Sequence, residues 1–255
     1  MNRIKIGPPG TMTQPVQPNI ESEFPGTFHV RESELQHQIQ ETYREDRSAF
    51  MPLHYEANYA YPLIVWLHDQ GGNEDGLAET MMSISERNYV GVAPRGPVSS
   101  WDGGYEWPQT RDCVHQSHSS VVAAIDEACC RFNIATDRIF LAGVGSGGTM
   151  AFRLACREPE LFAGVISING QFPEQFKPLA RLKSCRSLPV LWGHARQSNQ
   201  FSETQLCQQL RLLHVCGFSV TLRQYPCGDE IMPQAFRDIN VWIMDSINGT
   251  DQLSE

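Results

Sequence analysis

No stretch of this 255-residue sequence approaches the ~20 consecutive apolar residues that a membrane-spanning helix requires. The first residues, MNRIKIGPPGTMTQPVQP, lack the apolar core of a signal peptide. Basic charge is also short, with 20 Lys and Arg against 29 Asp and Glu, a formal charge of −9, and no Lys/Arg run. Nucleic acid and anionic membrane surfaces are therefore not expected as partners. The eight cysteines, at 113, 129, 130, 156, 185, 207, 216 and 227, contain no CxxC pair. A zinc site has little support, and the simplest account is reduced, buried thiols in a cytoplasmic protein with no metal and no cofactor.

The chain is long enough for one large α/β domain. Pro8, Pro9, Pro15, Pro18 and Pro25 lie among polar residues and mark 1–30 as an extended arm. Residues 31–248 read as a single domain and 249–255 as a tail. A short polar helix is expected over 32–44, with Leu35 and Ile39 on one side, and an edge strand over 48–55. Regular alternation follows. The apolar run PLIVWLH (62–68) has the character of a parallel strand buried on both faces. A helix over 74–87 carries Leu77, Met81 and Ile84, and NYVGVAP (88–94) is the next strand. After a Gly- and aromatic-rich loop, a helix near 117–132 should bury Val122, Ile125, Cys129 and Phe132. Further strands are expected over 161–170, 187–195 and 218–226. Ser202 and Gln205 form a capping box ahead of a helix with Leu206, Leu210 and Leu213 on one face, and a last helix over 233–247 packs Phe236, Ile239 and Ile243. Strand–helix alternation of this kind predicts a doubly wound, mostly parallel sheet with helices on both faces.

At the centre lies LAGVGSGGTMAFRLA (141–155), an apolar strand feeding a helix through a glycine-dense turn. That is the setting of a nucleophile elbow. The segment resembles the elbow of the carboxylesterase/phospholipase/thioesterase group of α/β-hydrolases, whose usual form is LAG-aromatic-Ser-x-GG-x-Met-Ala. Gly143, Gly147, Gly148, Met150 and Ala151 fall into place, and Gly145 holds the serine position. The resemblance extends over 48–247 and implies an α/β-hydrolase fold with ester-hydrolase chemistry. A second register puts the nucleophile at Ser146, but Val144 would then crowd a turn that calls for a small residue.

The other two triad positions depart as well. The family's aspartate, in a pattern like His-Gly-x-x-Asp, falls on Ser198, and its histidine, in a pattern like Tyr-Pro-x-Gly-His, falls on Asp229. A serine hydroxyl needs a base, and the base an orienting acid. With Gly145, Ser198 and Asp229 in the three roles, the resemblance implies a catalytically silent member that binds a ligand or partner in the old cleft. The alternative is an active esterase or thioesterase in which Ser146 works with a displaced histidine, drawn from His68, His115, His118 and His194. A structural subunit of a larger assembly is a third reading. The oxyanion loop, His68-Asp69-Gln70-Gly71-Gly72, departs from His-Gly-x-Gly-Gly at Asp69. An ionised Asp69 facing the pocket would repel an oxyanion, and capping of the following helix is the expected use of its side chain. Asp69 with Asp229 forms a candidate carboxylate pair, though no ligand spacing supports a metal. Cys227 reads as a turn residue. Trp101, Tyr105 and Trp107 are expected to line or plug the cleft, with His68, Asp69, Gln70 and Ser146 as its floor.

Overall fold

The computed structural model describes residues 46–101, 103–174 and 180–251. The arm over 1–30 and the helix expected at 32–44 lie outside them. The strands are β1 (Arg47–Phe50), β2 (Tyr61–Leu67), β3 (Val90–Pro94), β4 (Val98–Ser99), β5 (Tyr105–Glu106), β6 (Ile134–Val144), β7 (Gly164–Ile168), β8 (Pro189–Ala195) and β9 (Ser219–Tyr225). The helices are α1 (Leu77–Ile84), α2 (Arg111–Arg131), α3 (Gly145–Arg157), α4 (Leu182–Cys185), α5 (Glu203–Cys216) and α6 (Pro233–Asp251). Among the described residues seven strands make one sheet in the order β1-β3-β2-β6-β7-β8-β9, parallel except for the edge strand β1. No described helix is long and apolar enough to cross a membrane.

The continuous apolar runs follow from burial on both faces. Along β2, Leu63, Val65 and Leu67 enter one core while Ile64 and Trp66 enter the other. In β6, Ile139 and Leu141 oppose Phe140, Ala142 and Val144 in the same way. Helices α2, α3 and α5 cover the first core, and α1 and α6 the second. Each such side chain withdrawn from water contributes ~1.5–3 kcal/mol before entropy is charged. Ser202 and Gln205 form the expected capping box of α5, and Gly217 ends that helix at φ 80°.

Several elements differ from expectation for identifiable reasons. The helix expected over 74–87 divides into a 3₁₀ turn at Glu74–Gly76 and α1, because Asn73 Oδ1 accepts from Asp75 N at 3.1 Å and closes a separate short turn. Helix α2 starts at Arg111, where Thr110 caps it, and it buries Val121, Ile125 and Ala128. Of the four residues expected inside, Ile125 is buried, Val122 and Phe132 are half-buried, and Cys129 is exposed. The expectation of buried thiols holds for Cys156 and Cys185, whereas Cys129, Cys130 and Cys207 are exposed. Helix α6 continues past 247 to Asp251.

Candidate functional site

The chain passes from β2 outward to β3 and then returns to place β6 on the other side of β2. A crevice opens at such a reversal, beyond the carboxyl ends of the two strands. The register Leu67↔Gly143 sets the residues following β2 level with the start of α3, and so brings Asp69 to Gly145. Register Ala195↔Tyr225 does the same for the ends of β8 and β9, and Gln197 N donates to Cys227 O at 2.9 Å. All three positions singled out by the sequence, together with Ser146, therefore lie along one end of the sheet.

The turn at the end of β6 is abrupt. Val144 is extended and Gly145 already belongs to α3, with φ +49°. Positive φ is open to glycine at no steric cost. Ser146 does not share it. Gly147 packs its Cα against the β2 backbone so closely that a Cβ would overlap Leu67 O and His68 O. At Gly145 the obstacle is a side chain: a Cβ would overlap Asp69 Oδ1 and lie 2.5 Å from its Cγ. The Asp69 carboxylate thus fills the space above Gly145. Its Oδ1 accepts from Gln70 N at 2.7 Å and from Ser146 N at 3.1 Å. Those are two backbone N–H groups, one at the positive end of α3, converging on one anionic oxygen. The expected capping role of Asp69 toward the following helix is corrected: Asn73 caps that turn, and Asp69 points into the elbow.

No imidazole among the described residues hydrogen-bonds Ser146, whose Oγ is buried without a partner there. His68 donates from Nδ1 to Asp69 O at 2.7 Å and accepts at Nε2 from Gly96 N at 3.1 Å, so both ring nitrogens are committed to the neutral tautomer. Burial holds the His68 pKa below its ordinary value, against the opposing pull of the Asp69 carbonyl and the Glu74 and Asp69 carboxylates. The unfolded chain then binds a proton more readily than the folded one. Stability from His68 is present above its unfolded pKa of ~6.5 and is lost as pH falls through the lower folded value. Thermal melts of the parent and of His68→Gln check this: the parent loses stability with acid from ~6.5 downward, and the variant lacks that limb. Equal acid limbs would show that His68 is not the titrating group.

His194 is wholly buried and donates from Nε2 to Phe201 O at 2.9 Å. His118 lies 2.9 Å from Glu158, and His115 is exposed on α2. The Ser198 hydroxyl donates to Asp229 Oδ1 and accepts from Gln200 N at 3.2 Å and Phe201 N at 3.1 Å. Asp229 is thereby tied to Ser198 and Asp69 to backbone N–H groups, and both carboxylates line one cavity. No group of three His, Cys, Asp or Glu among the described residues could hold a metal. Burial, then the Glu230 and Asp229 carboxylates, raise the Cys227 thiol above its usual range. That keeps it protonated and poorly nucleophilic.

Two cavities flank the Asp69 carboxylate. One, of about 350 Å³, is bounded by Trp66, His68, Asp69, Thr80, Asp229 and Ile231. The other, of about 330 Å³, is bounded by Gln109, Ser146, Arg153, Asn169, Gln171 and Gln200, among others. The aromatic loop, expected to line or plug the cleft, lines neither of these two cavities. Trp107 is buried because its indole N–H finds His68 O at 2.9 Å. Tyr105 bonds backbone to Gly72 and lies 4.7 Å beneath the Arg95 guanidinium. Trp101 is 95% exposed. Gln70 contributes its N–H to Asp69 and its side chain to Glu106. Sequence reasoning missed Arg153 and Asn169. Arg153 is 5% exposed on α3, with Nε donating to Gln109 Oε1 at 2.8 Å, and burial lowers its pKa. Asn169 sits at φ 56°, its Oδ1 accepting from Ala195 N at 2.7 Å; an Asn just after a strand was the available signal.

The profile of the family described as Phospholipase/Carboxylesterase matches residues 56–247. NocK of Nocardia uniformis subsp. tsuyamanensis, provisionally named an esterase, is 29% identical over 133 residues, 51% of this chain and 38% of its own. The chain thus spans well under half the length of that relative. Among solved structures, the Bacillus cereus carboxylesterase superposes at TM-score 0.65 with 15% identity, covering 84% of this chain and 99% of its own. SOBER1 of Arabidopsis thaliana superposes at TM-score 0.61 with 19% identity, covering 74% of this chain and all of its own. Likeness at that identity establishes a shared fold and not a shared activity.

Proposed function

The chain belongs to the phospholipase/carboxylesterase family of α/β-hydrolases, and we propose that it is a member without ester-hydrolase activity, holding a small ligand or a protein partner in the former cleft. The observation that carries this reading is the Asp69 carboxylate. In a working elbow, the N–H of the residue after the nucleophile and one from the oxyanion loop stabilise the tetrahedral oxyanion. Here Ser146 N and Gln70 N are the corresponding pair, and Asp69 Oδ1 already takes both. Gly145, Ser198 and Asp229 then stand as the vacated nucleophile, acid and base positions. Support comes from the positive φ of Gly145 and from the direct Ser198–Asp229 bond, which retains the neighbourhood of acid and base without their chemistry. The flanking cavities are of small-ligand size, and the polar one beside Ser146 and Arg153 suits a hydrogen-bonding molecule. The cysteines are free, which fits a reducing cytoplasm.

The test is hydrolysis of an activated acyl ester, together with labelling by a serine-directed phosphonate. Turnover at background and no label at Ser146 are expected, because a hydroxyl without a base is a weak nucleophile. A burst of product that Ser146→Ala abolishes would establish the active-esterase alternative instead.

A further inference from the structure

At the end of the sheet remote from Asp69, where β2 begins and α2 ends, four aromatic rings form a surface cluster. Tyr55 stacks on Tyr61 with centroids 5.1 Å apart and meets Phe132 edge-on at 5.8 Å. Tyr59 meets Tyr61 edge-on at 4.7 Å, and Arg131 lies 5.2 Å over Phe132. The rings are fixed rather than splayed. Tyr55 Oη accepts from Asn133 N at 2.7 Å, and Tyr61 Oη from Glu56 N at 3.1 Å. His54, at φ 58°, turns the loop that presents them. Tyr61 is buried, but Tyr59 is 52% exposed, and Tyr55 and Phe132 are half-buried. An array of rigid, partly exposed tyrosines is the surface on which polyproline II segments dock, since proline rings pack on aromatic faces and the ligand pays little ordering entropy.

The sequence supplies such a segment. Pro15-Val16-Gln17-Pro18 has the PxxP spacing, the one that a polyproline II helix of three residues per turn would bring to a single side. Residues 1–20 carry Arg3 and Lys5 and no acidic residue in a chain of net charge −9, and the exposed Glu56 lies within the aromatic loop. Reach is no obstacle. The chain joins the described fold at Asp46, beside the cleft end of the sheet, and Pro18 to Asp46 spans up to ~90 Å extended, against ~25 Å along a strand. We propose that the Tyr55–Tyr59–Phe132 surface is a docking site for the Pro15–Pro18 segment of the same chain.

The experiment uses the full chain with p-benzoylphenylalanine in place of Val16. Irradiation is expected to join position 16 to residues 54–61 or 131–133, at a yield unchanged by about tenfold dilution, as an intramolecular contact requires. Tyr59→Ser, at an exposed site, and separately Pro15→Ser with Pro18→Ser, should each cut that yield at least about fivefold while leaving the thermal melt in place. Cross-links to cleft residues or scattered over the fold overturn the proposal. So does a yield that rises with protein concentration, which would mark a second copy as the occupant, or one that neither variant lowers.

Discussion

A chain carrying Gly145→Ser, Ser198→Asp and Asp229→His is expected to show no esterase turnover above background, and adding Asp69→Gly is expected to raise it by at least about a hundredfold. The three changes restore a hydroxyl, an orienting acid and a base, which act as a unit. They leave Asp69 where it is. Its Oδ1 would still hold Gln70 N and Ser146 N, and the new serine Cβ would overlap that oxygen. An ionised carboxylate there opposes the developing oxyanion and displaces the nucleophile together. Removing it frees two donors, each worth ~10²–10³ in rate in sites of this kind. The same geometry predicts coupling in stability. Gly145→Ser alone combines positive φ with the overlap and should cost on the order of 1–3 kcal/mol. Part of that cost should disappear in the Asp69→Gly background, giving an interaction term in a double-mutant cycle. The measurement is kcat/KM on an activated ester for the threefold and fourfold variants. Equal rates would mean that Asp69 is no barrier to the restored site.

The direction of the Asp69 side chain could not have been read from the sequence. It depends on the register of β2 against β6, two strands that are distant in the chain and adjacent in the sheet. An Asp two residues before a glycine pair has a good local use as a cap, but Asn73, four residues on, holds that role instead. What was legible was whatever burial on two faces imposes: the continuous apolar runs of β2, β3, β6 and β8, and the sharp turn at Gly145. Helix α2 begins ahead of its apolar pattern because its first turns, Arg111 through His115, are mostly polar and only Val114 marks their inner side. Arg153 was invisible for the opposite reason. A charged residue in an apolar helix is ordinarily solvated, and here Gln109, arriving from another loop, bonds it inside. Composition shows neither that Trp107 has a carbonyl partner indoors nor that Trp101 stands in solvent.

His194→Ala is expected to lower unfolding stability by about 3 kcal/mol without changing any ester turnover. His194 has no exposed surface, sits at the end of the innermost run of β8, and lies edge-on to Phe201 at 5.2 Å. Truncation removes a ring from a packed site where Phe201 in turn stacks on Trp192 at 5.8 Å. It also strands Phe201 O, which accepts the Nε2 proton at 2.9 Å. The cavity and the unmet carbonyl each cost ~1–3 kcal/mol. The damage should spread along a definite path. Phe201 N donates to Ser198 Oγ, and Ser198 donates to Asp229, so loosening Phe201 loosens the link between the ends of β8 and β9. Substitution by Gln, whose amide can reach the same carbonyl, should recover part of the loss, whereas Phe, which fills the space without a donor, should recover only the packing share. Denaturant midpoints for the three variants separate the two contributions. A parent-like midpoint for His194→Ala would sink the structural assignment of this residue.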